Sequence, residues 1–205
     1  MLGTIVEIRA DAPLCVATAA AIESGFAAIA RVERLMSVHA PDSELSLLNR
    51  HAFERAIAVD PWTYTVLAAA QRFWQASGGL FDCTIAPILA RHGFLPPEIA
   101  REDAMPATQA DVLLLDDGRV RFRRPLTLDL GGIAKGFAVD RAVEALQQNG
   151  IESGAVNGGG DLRVFGPRAA PIHLRDPTDP AALIMAGWLR DGAIATDTGS
   201  RACAS

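Results

Sequence analysis

Apolar and polar residues alternate from Met1 to Arg9 around Ile5, Val6 and Ile8, which predicts a half-buried strand. After Pro13 the period changes. Val16, Ile22, Phe26, Ile29, Val32 and Leu35 fall on one stripe ending near Met36, and the Ala-rich filling between them predicts a packed helix. A polar start at Asp42, Ser43 and Glu44 before Leu45, Leu48 and Asn49 predicts a short capped helix. Pro61, suited to a first helical turn, opens a further helix to Ala76. Ser77-Gly78-Gly79 stops it; Leu80 to Leu89 reads as irregular, and 96–105 as an aperiodic surface connection.

The second half is punctuated more tightly. Val112 to Leu115 and Val120 to Arg123 flank Asp116-Asp117-Gly118, a hairpin signal because Asp-Gly supplies the positive φ of a tight turn. Thr127 to Leu130 predicts another strand. Gly131-Gly132 opens a helix from about Ile133 to Gln148, with Phe137, Val139, Val143 and Leu146 inward and Gly150 as its stop. Ala155 to Val156 and Leu162 to Phe165 bracket the loop 157–161; Ile172 to Leu174 and Ile184 to Leu189 add strands, and Asp191-Gly192 turns into Ala193 to Thr196. Helices and strands interleave, but the late strands join through hairpin turns. The pattern therefore predicts an α+β fold of mixed or antiparallel sheets with packed helices, rather than a doubly wound parallel sheet. A length of 205 residues, half of them apolar, predicts one domain over 1–205, with room for two lobes.

Charge narrows the partners. With 19 Lys and Arg against 24 acids, a net charge of −5 and no basic run, the chain lacks the electrostatic footprint of a nucleic-acid binder. The most apolar stretch, Cys15 to Ala30, is interrupted by Glu23 and Ser24 and predicts a packed helix rather than a membrane span. Cys15, Cys83 and Cys203 are too dispersed for a zinc knuckle or a disulfide framework. No export signal precedes the first strand-like segment, so the expectation for the chain as written is cytoplasmic, with a periplasmic or membrane-anchored location if an upstream signal was removed.

Residues 128 to 140, L-D-L-G-G-I-A-K-G-F-A-V-D, carry the clearest chemical signal. Two glycines between a strand and a helix let backbone N–H groups approach an anion, and Lys135 adds a cation in the first turn. Asp129 precedes them, where a carboxylate can meet a ribose hydroxyl, a metal ion or the proton of an attacking hydroxyl. The competing structural reading makes the glycines a tight turn, Asp129 a helix cap and Lys135 a solvated side chain. Neither the dinucleotide fingerprint nor the Walker pattern is present. Asn157-Gly158-Gly159-Gly160-Asp161 is either a bare backbone laid against a ligand or a hairpin loop, and Ser77 to Pro87 has the same two readings, with Phe81 and Asp82 offering a ring and a carboxylate. His39, His51, His92 and His173 lack metal-ligand spacing, and no nucleophile elbow is found.

Five segments in order resemble the ApbE family: L-G-T-I-V-E-I at 2–8, M-S-V-H-A-P-D-S-E-L-S-L-L-N at 36–49, S-G-G-L-F-D-C-T-I-A-P at 77–87, the 128–140 segment, and V-N-G-G-G-D at 156–161. The resemblance implies an FAD:protein FMN transferase that takes FAD with Mg²⁺, splits the pyrophosphate, releases AMP and attaches FMN to a Thr or Ser hydroxyl of a target flavoprotein. It implies that Leu2, His39, Leu80, Phe81, Asp82, Asp129 and Lys135 contact FAD, that the backbone at Gly132 and Ala134 meets the metal, and that Asp129 takes the acceptor's proton. Leu2 stands where the family has Met, and His39 where it commonly has a stacking Tyr. The family continues past A-I-A-T with motifs that supply metal ligands, whereas this sequence reads A-I-A-T-D-T-G-S-R-A-C-A-S; Asp197 and Thr198 are the candidates there. Two other outcomes accompany the transferase reading: an FAD-binding protein without the chemistry, and an FAD pyrophosphatase in which water replaces the acceptor hydroxyl.

Overall fold

The structure, a computed structural model, describes residues 3–99, 107–176, 178–179 and 182–196. Its elements are β1 (Val6–Ala10), α1 (Val16–Met36), α2 (Glu44–His51), β2 (Ile57–Ala58), α3 (Pro61–Ala76), α4 (Ala86–Arg91), β3 (Val112–Leu114), β4 (Arg119–Phe122), α5 (Gly131–Gln148), β5 (Gly154–Gly158), β6 (Asp161–Phe165), β7 (Ala170–Arg175), β8 (Leu183–Leu189) and β9 (Gly192–Ala195). Every strand pairing among the described residues is antiparallel, and the fold is α+β with packed helices, as the pattern predicts. The chain divides into two compact units, Met1–Ala30 with Ala138–Ser205, and Arg31–Phe137.

The first unit is built on the sheet β1-β5-β6-β9. Alternation sends Val156 and Phe165 to one face, where both are fully buried. Ile8 shares that face and reaches Gly25 of α1: a Cβ there would stand 2.9 Å from Ile8 Cδ1 and 3.6 Å from Leu146 of α5. The buried stripe of α1 is accordingly made of small residues early on, Thr18, Ala21 and Gly25, before Ile29, Val32 and Met36. Val16, expected to start the stripe, is 88% exposed. On the opposite face Leu162, Val164 and Ile194 pack with Ala170, Ile172 and Leu189 of the hairpin β7–β8.

The glycine segment 157–161 is a tight hairpin rather than an open loop. Asn157 and Gly158 belong to β5, Gly158 pairs with Asp161, and Gly159 and Gly160 form the two-residue turn with φ of 66° and 103°. Positive φ at both central positions is what a right-twisted hairpin needs. Side-chain atoms there would also collide with Thr4 and Thr196, so the structural reading accounts for both glycines.

The second unit packs α2, α3 and α4 with the sheet β2-β4-β3. Ser43 caps α2, its Oγ accepting from Ser46 N at 3.0 Å, and Asp60 caps α3, accepting from Trp62 N at 2.9 Å. Each cap satisfies one of the donors a helix start leaves over. Two expectations change here. The segment read as irregular contains α4, which has Pro87 in its first turn, where a missing N–H costs nothing. Thr127 to Leu130, expected as a strand, joins no sheet: the Leu128 backbone pairs with Asn49 and the Asp129 N–H with Cys83 O.

Candidate functional site

The approach to α5 is fixed from three directions. Asn49 of α2 accepts from Leu128 N at 2.8 Å and donates through Nδ2 to Leu128 O at 3.0 Å. Asp129 N donates to Cys83 O at 2.8 Å. The Asp129 carboxylate turns forward and accepts from Gly131 N through Oδ1 at 2.9 Å, while Ile133 N and Ala134 N both donate to Leu130 O. The capping reading of Asp129 is therefore correct for Oδ1, and Oδ2 is left without a partner among the described residues.

Gly132 N–H stands in the first turn, where no i−4 carbonyl inside the helix is available to it. Gly132 is exposed, and a Cβ there would lie 3.5 Å from Cε2 of Phe81, so that ring flanks the helix start. Lys135 follows one turn on, half-buried and without an ion pair among the described residues. It is the sole lysine of the sequence; every other side-chain cation outside the four histidines is an arginine. Among the described residues a free acceptor before α5, a free N–H in its first turn and, one turn on, an ammonium without an ion pair thus lie at the start of the helix, whose dipole also favours an anion.

The 77–84 loop brings up the other wall. Ser77 ends α3 and its Oγ accepts from Phe81 N at 2.9 Å, while Gly78 and Gly79 take φ of 63° and 89° to reverse the chain. Phe81 packs edge-on against Phe73, centroids 5.7 Å apart. Asp82 is engaged structurally: Oδ1 accepts from Thr84 N at 2.8 Å and from Thr84 Oγ1 at 2.7 Å, and Oδ2 accepts from Gln109 N at 3.2 Å. Cys83 lies buried between the two acids; burial first, then the charges of Asp82 and Asp129, push its thiol up to about 12.

Phe81, Asp82, Asp129 and Gly132 are thus brought together, with Lys135 one turn further. Leu80 is 93% exposed at the loop tip. His39 is exposed on the 37–42 loop, which hydrogen bonds from Ser43, Ser46 and Arg50 tie to α2; among the described residues no hydrogen bond or ion pair joins it to the Asp129 group. Leu2, Asp197 and Thr198 lie outside the described residues. Among the described residues no cluster of three His, Cys, Asp or Glu could hold a metal ion, so what Gly132 and Ala134 offer is backbone carbonyl oxygen alone. A cavity of about 630 Å³ in the first unit, lined by Glu7, Arg9, Asn157 and His173 among others, holds none of the expected site residues. Asn49, Cys83 and Thr84, which hold the walls in place, were given no role by the sequence reading; the long-range pairing of Asn49 has no signature in local spacing.

Known proteins resemble this chain in sequence and in fold. The ApbE family model matches residues 2–202. The FAD:protein FMN transferase of Vibrio cholerae serotype O1 is 34% identical over 142 residues, covering 64% of this chain and 42% of that protein. The FAD:protein FMN transferase of Treponema pallidum is 30% identical over 189 residues, covering 84% of this chain and 52% of that protein. The chain thus spans about half the length of these curated relatives. Among solved structures, the ApbE protein of Thermotoga maritima superposes with a TM-score of 0.78 at 27% identity, covering 94% of this chain and 66% of that one. The flavin transferase ApbE of Vibrio cholerae gives a TM-score of 0.76 at 26% identity, covering 93% and 67%. With a family match over almost the whole sequence and the same fold beneath it, the chain belongs to the ApbE family.

Proposed function

We propose that this chain binds FAD at the start of α5 and transfers its FMN half to a Thr or Ser hydroxyl of a target flavoprotein, releasing AMP. The observation that carries the reading is the start of α5, where among the described residues Asp129 Oδ2, Gly132 N–H and, one turn on, Lys135 are unengaged, with the Phe81 ring flanking Gly132. Lys135 and the helix N-terminus would hold the pyrophosphate, and Phe81 and Leu80 would offer apolar surface to a flat ring. The acceptor oxygen would attack the phosphorus of the FMN half, the bond to the AMP phosphate would break, and the hydroxyl proton would pass to Asp129 Oδ2. AMP would leave with the electron pair of the broken bond. His39, on its separate loop, is kept as an expected flavin contact.

Mg²⁺ belongs to the proposal as a partner of the substrate. Its shell is commonly completed by phosphate oxygens and water rather than by a protein cage, and Asp129 Oδ2 with the carbonyls of Gly132 and Ala134 is the donor set this chain offers. When bound it would offset negative charge on the pyrophosphate.

The test is to mix the protein with FAD, with and without Mg²⁺ and with and without an acceptor flavoprotein, and to follow AMP and protein-linked flavin. Mg²⁺-dependent AMP accompanied by flavin on the acceptor is expected. AMP without linked flavin identifies a pyrophosphatase, and FAD binding without AMP a flavin-binding protein. Absence of FAD binding refutes the site itself.

A further inference from the structure

The segment S-E-L-S-L-L-N, residues 43–49, makes no hydrogen bond to the unengaged groups of the site among the described residues, yet each of its polar side chains bonds to another part of the second unit. Ser43 Oγ donates to Ser37 O at 2.7 Å, and Ser46 Oγ donates to Ala40 O at 2.7 Å, fastening both ends of the loop that carries His39. Glu44 Oε1 accepts from Asp60 N at 2.8 Å at the start of α3. Leu45 and Leu48 are fully buried and anchor α2. Asn49, at the other end of the helix, takes both backbone groups of Leu128.

That last pairing is the informative one. Leu128 is fully buried and has no neighbouring strand, so its N–H and C=O have no partner unless a side chain supplies a donor and an acceptor together. A primary amide is the neutral side-chain group that presents both in one plane, as a peptide does. Its orientation follows from Leu128 itself: the N–H must meet Oδ1 and the carbonyl must meet Nδ2. Asn49 therefore stands in for one residue of a missing strand. The residue it holds immediately precedes Asp129, whose own N–H is held by Cys83 O, so the backbone that aims the free Asp129 oxygen is fixed at consecutive positions.

We infer that Asn49 is a positioning residue for Asp129, acting through the backbone of Leu128, and that α2 serves to deliver it. This rests on the transferase reading for its kinetic consequence but not for its structural one. Losing Asn49 frees the Leu128 peptide to shift, and displacements near 1 Å at a reacting group cost up to about a hundredfold in rate.

The experiment compares wild type, Asn49→Ala, Asn49→Asp and, as a control in the same unit, Val66→Ala, a fully packed α3 position away from this contact. Amide exchange of the 126–131 peptide is read without FAD, and AMP release with FAD and Mg²⁺ below the unfolding range. Asn49→Ala is expected to lose exchange protection in 126–131 and to lower kcat between about ten- and a hundredfold with a smaller change in KM. Val66→Ala is expected to do neither. Asn49→Asp keeps the acceptor but lacks the donor until its carboxyl is protonated, so its melting temperature should approach that of wild type as the pH falls. A side chain that merely packs would show no such recovery. Wild-type protection in Asn49→Ala, or an equal loss in Val66→Ala, overturns the inference. If wild type releases no AMP, the transferase reading fails while the exchange and pH readouts still decide the positioning role.

Discussion

Asp60 is the junction on which α3, and with it the start of the Ser77–Asp82 loop's support, is mounted. Its Oδ1 caps Trp62 N at 2.9 Å and its Oδ2 accepts from Arg31 at 2.7 Å, with the Arg31 guanidinium lying 4.2 Å above the Trp62 ring. Partial burial pulls the carboxyl upward, but the Arg31 hydrogen bond, the Trp62 N–H and the charges of Arg31 and Arg34 outweigh it and leave its pKa below the ordinary 3.8. Removing a cap of this kind costs about 1 kcal/mol. The ion pair adds about 0.5 kcal/mol, discounted because the Arg31 side chain is 41% exposed. Asp60→Ala should therefore destabilise the protein by roughly 1.5 kcal/mol near neutral pH, and Asp60→Asn, which can still cap, by roughly 0.5 kcal/mol. A depressed carboxylate contributes stability that is fully present above its unfolded pKa and is lost as the pH falls through its folded one. The gap between wild type and Asp60→Asn, measured by urea unfolding, should thus hold at neutral pH and close only as the pH falls through and below the ordinary carboxylate range. Equal losses in the Ala and Asn variants, or a gap that ignores pH, would refute the division between cap and ion pair.

Lys135→Met should weaken FAD binding about tenfold in a flavin-fluorescence titration, with Lys135→Arg retaining most of it, since a half-buried cation loses one charge-assisted contact; unchanged affinity in Lys135→Met removes Lys135 from the site. Because Lys135 is the only lysine, amine-directed labelling mapped by mass should show one side-chain adduct, suppressed by FAD. Thiol labelling near pH 8 should modify Cys15, which is exposed and whose pKa is lowered by hydrogen bonds from Thr18, and should spare Cys83, buried with a pKa of about 12, until urea unfolds the chain. Gly118→Ala, at φ 75° in open space, should cost about 1 kcal/mol, whereas Gly160→Ala, at φ 103° against Thr196, should cost at least about 2 kcal/mol in urea unfolding; equal costs would show that the Thr196 contact relaxes freely.

The sequence by itself determined the local elements whose signals are local. Pro61 and Ala76 bound α3 as expected, Ser43 caps α2, Gly150 ends α5 at φ 82°, and Asp117-Gly118 turns β3 into β4, because caps, breakers and positive-φ turns act within a few residues. The ordered motifs also identified the family and grouped Phe81, Asp82, Asp129 and Lys135. What alternation could not decide was partnership. Thr127 to Leu130 reads as a strand, but its hydrogen bonds go to the Asn49 amide, 79 residues away in sequence, and to Cys83 O. The bare glycines of 157–161 could have faced a ligand, and only the fold showed Thr4 and Thr196 against them. Likewise Asp82 looks in sequence like a free carboxylate, and the tertiary structure commits both its oxygens to Thr84 and Gln109 while leaving one oxygen of Asp129 open. A pattern of apolar and polar residues fixes which face is buried; which donor meets which acceptor is settled only when distant segments are packed together.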